Sequence, residues 1–284
     1  MLDRRQFLAR VGVLSATFGV LGPTALRTLP SAGAQVDPVA MVLRELSRDT
    51  FSGLCAFCVP GADPYSVAQG VQNAGEGSVD ARTTDFLLNA ADFFVPLPDG
   101  FARAVVSGLR TSSVDTGFPI PPELLGPVLD LARTVDDEIV SLLEGDEAIP
   151  LSLVFAMTMN FFATRVNPLA VNGTFLSPFA RLTWAEKAMA WEMFEQADPD
   201  LVAAVDSALP EPATETVSGV LRFAAGALLE FCAFATYSEY STFDPETRTL
   251  TAEPVGHRIS TYTPATAGWD ELKGYWKGRT EADP

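Results

Sequence analysis

An all-α fold, a single compact domain of roughly eight helices ending in an irregular, aromatic-rich tail, is what this sequence predicts. Three observations lead there. Apolar side chains recur every three or four residues over long stretches, prolines and glycines punctuate those stretches, and no run shows the period-two alternation of a half-buried strand. At 48% apolar, the 284-residue chain can fill a core and is not disordered. No internal repeat or low-complexity linker divides it, so residues 35–284 read as one helical domain behind an N-terminal segment, 1–34.

That first segment reads as an export address. Val11–Leu26 contains Gly12, Ser15, Thr17, Gly19, Gly22, Pro23 and Thr24, too many small and polar residues for a span of about 20 strongly apolar ones. A cationic start, a moderately apolar stretch and small side chains at Ala32 and Ala34 fit a secretory signal cleaved between Ala34 and Gln35. Asp3-Arg4-Arg5-Gln6-Phe7-Leu8-Ala9 resembles the bacterial twin-arginine signal through Arg4, Arg5, Phe7 and Leu8. It departs at Asp3, usually Ser or Thr, and at Ala9, usually Lys. Such signals are addresses read by a receptor rather than anchors. The resemblance implies a protein folded before it leaves the cytoplasm for the periplasm or cell envelope. No integral membrane span is expected in the mature chain.

In the mature chain, Pro38–Val59 reads as the first helix, with a stripe of Val39, Val42, Leu43, Leu46, Leu54, Phe57 and Cys58, stopped by Pro60-Gly61-Ala62-Asp63-Pro64. Tyr65–Val79 reads as a loop. Thr84 can cap a helix over Asp85–Val95, a short helix covers Phe101–Leu109, and Pro121-Pro122 opens a longer one to Gly145. Leu151–Val166, rich in Phe and Met, reads as the central and most buried helix. Thr183 and Glu186 have capping-box spacing at the head of a helix ending near Ala197. Pro199–Leu209 forms a short helix and Thr214–Thr236 a long apolar one. The tail then gathers Tyr237, Tyr240, Tyr262, Trp269, Tyr275 and Trp276, rings able to anchor a partner or to close over the chain's own helices.

With 19 basic and 36 acidic side chains the net charge is −17, and losing 1–34, with four arginines and one aspartate, takes it to −20. Such a body has no attraction for phosphate backbones, which argues against nucleic acid as a partner. His257 is the sole histidine. Multi-histidine metal sites are thereby excluded, and one candidate remains for Ser-His or Cys-His catalysis. In Pro254-Val255-Gly256-His257-Arg258, with no nucleophile motif beside it, it reads as a surface or hydrogen-bonded loop histidine.

Cys55-Ala56-Phe57-Cys58 has C-x-x-C spacing. Val59 stands where c-type haem attachment needs His, and the pair ends a helix where thioredoxin-type chemistry needs a helix start. It reads as two buried thiols or a disulfide formed after export, and Cys232 as core. Asp136-Asp137-Glu138 points around a helix and reads as a solvated face, and Asn172-Gly173-Thr174 as a turn. No G-x-G-x-x-G follows a strand and no G-x-x-x-x-G-K-[ST] occurs, so no catalytic, cofactor-binding or metal-binding residue is assigned.

Four strings carry a wider likeness: Phe57-Cys58-Val59-Pro60-Gly61-Ala62-Asp63, Phe179-Ala180-Arg181-Leu182-Thr183 leading into Lys187, Tyr237-Ser238-Glu239-Tyr240, and Pro254-Val255-Gly256. With the twin-arginine start, they resemble the small third subunit of membrane-bound gluconate dehydrogenase and its relatives. The resemblance implies an accessory subunit of a flavin-dependent sugar or alcohol dehydrogenase. In that family the flavin sits on a large partner subunit, and the small one has no catalytic residues to carry over. The expected role is the folding, assembly and twin-arginine export of that partner, with no cofactor in this chain and no catalysis by it alone. The alternative is a stand-alone exported helical protein whose Phe-rich core surrounds a pocket for an apolar small ligand. An independent hydrolase or redox enzyme fits the histidine count and the C-x-x-C position least well.

The receptor for such signals reads paired guanidinium groups, which Lys does not reproduce. Arg4→Lys combined with Arg5→Lys is therefore expected to leave precursor in the cytoplasm with its mature fold intact. Cell fractionation checks this, and unchanged export would remove the twin-arginine reading.

Overall fold

The computed structural model describes residues 38–95, 99–111, 149–171, 174–209 and 215–260. Among them the chain is all-α, with ten α-helices, one 3-10 turn and a single pair of two-residue strands. The helices are α1 (Pro38–Cys58), α2 (Pro64–Ala68), α3 (Thr83–Phe93), α4 (Asp99–Thr111), α5 (Leu151–Val166), α6 (Pro178–Arg181), α7 (Trp184–Glu195), α8 (Pro199–Asp206), α9 (Val217–Tyr237) and α10 (Val255–Ser260). The signal at 1–34, the helix expected over 121–145, the Asp136–Glu138 cluster, Asn172-Gly173 and the tail rings Tyr262, Trp269, Tyr275 and Trp276 lie outside the described residues.

α5 occupies the centre. Every residue from Leu151 to Thr164 is buried, so it has no solvent face and must be enclosed on all sides. α1, α3, α4 and α7 surround it, and α9 packs outside α3 and α7. One contiguous apolar cluster runs through all of these elements, including Phe51, Leu87, Val105, Phe161, Phe162, Phe194 and Leu228. Asn160 is buried in the middle of α5, and both ends of its amide are hydrogen-bonded. Nδ2 donates to Thr50 Oγ1 at 2.9 Å, while Oδ1 accepts from Ser177 Oγ at 2.8 Å and Phe179 N at 3.0 Å.

Local signals account for four of the helix starts. Thr183 accepts from the Glu186 N–H while Glu186 accepts from the Thr183 N–H, the expected capping box of α7. Asp63, Ser177 and Asp198 cap α2, α6 and α8, each followed by a proline at the first helical position. The Asp63-Pro64 pair places a helix where a loop is expected from Tyr65. Thr84 does not cap α3. That helix begins at Thr83 after Arg82, whose φ of 55° is left-handed, and Thr84 turns inward to contact Ser52 Oγ at 3.2 Å and Cys55 Sγ at 3.6 Å.

The tail is less irregular than expected as far as it is described. Phe243–Asp244 pairs antiparallel with Thr249–Leu250, the turn held by Asp244 accepting from Glu246 N and Thr247 Oγ1. His257 lies in α10, not in a loop, and is buried. α10 crosses the end of α9 so closely that a Cβ on Gly256 would sit 2.5 Å from Tyr237 Cα.

A second tight crossing tests the packing. A Cβ on Gly53 would lie 2.7 Å from Ala180 Cα, so α1 and α6 would have to separate. Gly53→Ala is expected to cost about 1–3 kcal/mol despite alanine's better helix propensity. At exposed Gly226 in α9 an added Cβ meets no described atom within 4 Å. Gly226→Ala should instead stabilise by up to about 1 kcal/mol. Urea titration of both variants reads the opposite signs.

Candidate functional site

The C-terminal end of α1 is closed by groups from other elements. A helix leaves its last carbonyls without partners, and burial there requires donors from outside. Gln69 Nε2 donates to Ala56 O at 2.7 Å and Trp184 Nε1 to Phe57 O at 3.1 Å, while one turn earlier Lys187 Nζ adds a bond to Gly53 O at 3.0 Å. Lys187 also donates to Gln69 Oε1 at 2.8 Å. A cation at a helix C-terminus is favoured by the backbone dipoles. The strings Phe57–Asp63 and Phe179–Lys187, remote in sequence, thus meet at one junction.

Lys187 is wholly buried, with its Nζ 5.8 Å from the centre of the Phe179 ring. Burial pushes its pKa down to about 7, opposed by the nearby carboxylates, Asp63 first and then Asp49. Beside it, buried Asp49 accepts from Tyr65 Oη at 2.6 Å and Ser177 N at 2.9 Å. Burial, then the Asp49 carboxylate, raise the Tyr65 hydroxyl's pKa. Arg181 donates to Ala170 O at 2.8 Å and to Phe175 O. Burial lowers its pKa to about 10, with Asp49 opposing. These groups bond one another across packed helices.

Cys55, Cys58 and Cys232 are free thiols, the first and last buried and Cys58 half-buried. The C-x-x-C occupies the last turn of α1, as its sequence context predicts. The interaction with Cys55, then with Cys58, holds the Cys232 pKa well below the usual thiol range, and Ser78 Oγ lies 3.9 Å from its sulfur. Burial, followed by the hydrogen bond to Cys232, raises Cys55. For Cys58 that hydrogen bond comes first and burial second. Among the described residues no group of His, Cys, Asp and Glu side chains is arranged to hold a metal ion.

The third feature is apolar. Leu87, Ala91, Phe94 and Val95 on one wall, Phe155 at the base, and Phe223, Ala224, Ala227, Leu228 and Phe231 on the other enclose a groove of about 100 Å³. Of its lining residues Phe94 is 79% exposed and Phe223 68%, and on the same two helices or their ends Phe93 (78%) and Phe234 (64%) are exposed as well. Phe223, Ala227, Phe231 and Phe234 follow helical spacing on α9, and Phe86 joins Phe231, Phe234 and Tyr240 in ring contacts of 5.2–6.5 Å. Of the tail rings read as partner contacts, Tyr237 is exposed at the end of α9, and Tyr240 is half-buried edge-on to Phe86.

No protein-family model matches the chain, and no curated protein or solved structure matches it either.

Lys187 makes stability depend on pH in a defined direction. Its ordinary pKa is 10.5 and its folded value about 7. Between those values the unfolded chain holds a proton that the folded chain lacks, so stability rises with pH, by at most about 1.4 kcal/mol per unit. Below pH 7 both states are protonated and the folded state carries the full cost of a buried charge. Lys187→Met removes this contribution. Urea unfolding at several pH values from 6.5 to 9.5 should show wild type gaining on the variant as pH rises. A constant difference would mean that Lys187 stays charged throughout.

Proposed function

We propose that this chain is the exported accessory subunit of a flavin-dependent sugar or alcohol dehydrogenase complex. It folds against a large flavoprotein subunit, supplies the twin-arginine address for the pair, and leaves the flavin and the chemistry to that partner. The observation that carries the reading is the aromatic face of α9 and the end of α3. Phe93, Phe94, Phe223 and Phe234 are each more than 60% exposed, and two of them, Phe94 and Phe223, face each other across the groove, exposed apolar side chains of the kind that mark an interface. The meeting of the family-like strings at the closed end of α1 supports the same reading, because residues shared along the chain serve one scaffold. The signal at Arg4-Arg5 supports export of a folded assembly.

The groove also favours a second reading, a stand-alone exported protein that binds an apolar small molecule. Its walls are wholly apolar, and such a cavity binds by excluding water.

Phe223→Asp with Phe234→Asp separates the two. Both rings face out, so helix content and the urea midpoint should change little. Buried aromatic anchors are each worth about 2 kcal/mol or more of binding, so a coexpressed flavoprotein oxidoreductase should no longer copurify with the double variant. Undiminished copurification would remove this face from the interface. An apolar molecule seen on the wild-type chain by native mass spectrometry, with no copurifying flavoprotein, would favour the second reading.

A further inference from the structure

α9 carries on its outer face a charge pattern that its own chain does not use. Arg222 and Glu230 stand four residues before and four residues after Gly226, and both are exposed. Their separation along the helix is about 12 Å, too far for a pair within α9. Among the described residues neither enters an ion pair. At about 100° per residue, both lie within about 40° of Gly226 around the helix. Gly219 and Ala233, seven residues to either side of Gly226, lie within about 20° of it. Phe223 and Phe234 flank the same strip and are exposed as well. Glycine weakens a helix interior relative to alanine. Yet an added Cβ at Gly219 or Gly226 meets no described atom within 4 Å, so packing among the described residues calls for neither glycine.

We propose that this face pairs antiparallel with the same face of a second copy of the chain, centred on Gly226, with Arg222 of each copy opposite Glu230 of the other. A two-fold contact must be self-complementary, each residue meeting the one that stands equally far on the other side of the axis. With the axis beside Gly226, Arg222 meets Glu230 of the second copy, once at each end, and Gly219 meets Ala233. A parallel pair would set each charge against its own kind, so the sequence selects the antiparallel arrangement. Small residues along the centre let the two helices approach closely. That approach brings the four charged side chains within reach across the seam and shields one side of Phe223 and Phe234. A net charge of −17 opposes association of two copies in general. The two Arg–Glu pairs therefore fix where association occurs and in which orientation. The pairing concerns the chain by itself. A flavoprotein docking on the same face would take the place of the second copy, and neither reading depends on the other.

Sedimentation equilibrium of the purified wild-type protein, over a range of concentrations, is expected to show a reversible species of twice the chain mass. Arg222→Glu alone gathers four carboxylates at the seam, and Glu230→Arg alone gathers four guanidinium groups. Each variant should therefore sediment at the mass of one chain. Mixed in equal amounts, the two variants restore an Arg–Glu pair at both contacts, and the doubled mass should return. Recovery on mixing also shows that both variants are folded. A monomeric wild type would overturn the pairing and leave the face to a different partner or to residues of this chain outside those described. Variants that dimerise as well as the wild type, or a mixture that stays monomeric, would overturn it equally.

Discussion

A helix without a solvent face constrains everything placed around it. From Leu151 to Thr164, α5 is buried on every side. Its polar members must find partners inside the protein, because each unsatisfied group would cost about 1–3 kcal/mol. Thr158 and Thr164 turn their hydroxyls back onto α5 carbonyls. Asn160 cannot do so and reaches across to Thr50, Ser177 and Phe179 instead. Those bonds set the position of α1 and α6 relative to the core. Ser152 is held at the helix start by Asp92, whose carboxylate accepts from its N–H and its hydroxyl, which fixes the end of α3 as well. The groove begins immediately beyond that contact, at Phe94 and Val95.

The lysine at the end of α1 belongs to the same logic, one layer further out. Replacing a buried cation by an apolar side chain is often neutral or stabilising, so stability alone does not explain Lys187. What it does is specific: from the first turn of α7 it reaches the Gly53 carbonyl, one turn before the end of α1, and Gln69 with directional bonds. A methionine would fill the volume but would leave Gly53 O and Gln69 Oε1 without that donor. Directional polar groups in a core fix one register among several that apolar packing would tolerate. The junction is thus a device for orientation, and the acidic side chains Asp49 and Asp63 near it offset part of the cost of burying the charge.

The elements most legible in the sequence are those with length and clear ends. α5 is bounded by Pro150 and by Asn167-Pro168, and its run of Phe, Met and Leu leaves no polar face, so its central position follows from pattern alone. α7 shows its capping box and a buried stripe of Lys187, Ala190, Trp191 and Phe194, which places the lysine on the core face. That signal was available without any structure. α2, α6 and α10 are four to six residues long, too short for periodicity to register. For the first two, Asp63-Pro64 and Ser177-Pro178 were the readable cues. Thr84 was misassigned because Thr83, Thr84 and Asp85 are all plausible at a helix start, and its partners Ser52 and Cys55 come from another helix. The three-thiol cluster was illegible for a stronger reason. Cys232 joins Cys55 and Cys58 only through the packing of α9 against α1, which no local pattern encodes.

α9 is the one helix among the described residues long and apolar enough to cross a membrane by length and composition. Its inner stripe argues for a different use. Val217, Leu221, Ala224, Ala225, Leu228, Cys232, Ala235 and Thr236 are buried against the rest of the protein. Withdrawing the larger of these to span a bilayer would forfeit about 1.5–3 kcal/mol of burial for each side chain, and would open the core above α3 and α7. Arg222 and Glu230 on the outer face would also have to enter hydrocarbon. The helix is therefore committed on one side. What remains to be explained is an outer side that places Phe223 and Phe234 in water between Gly219, Gly226 and Ala233. An inner stripe that includes cysteine and threonine, with an outer stripe of rings and small residues, makes α9 core on one side and exposed apolar surface on the other.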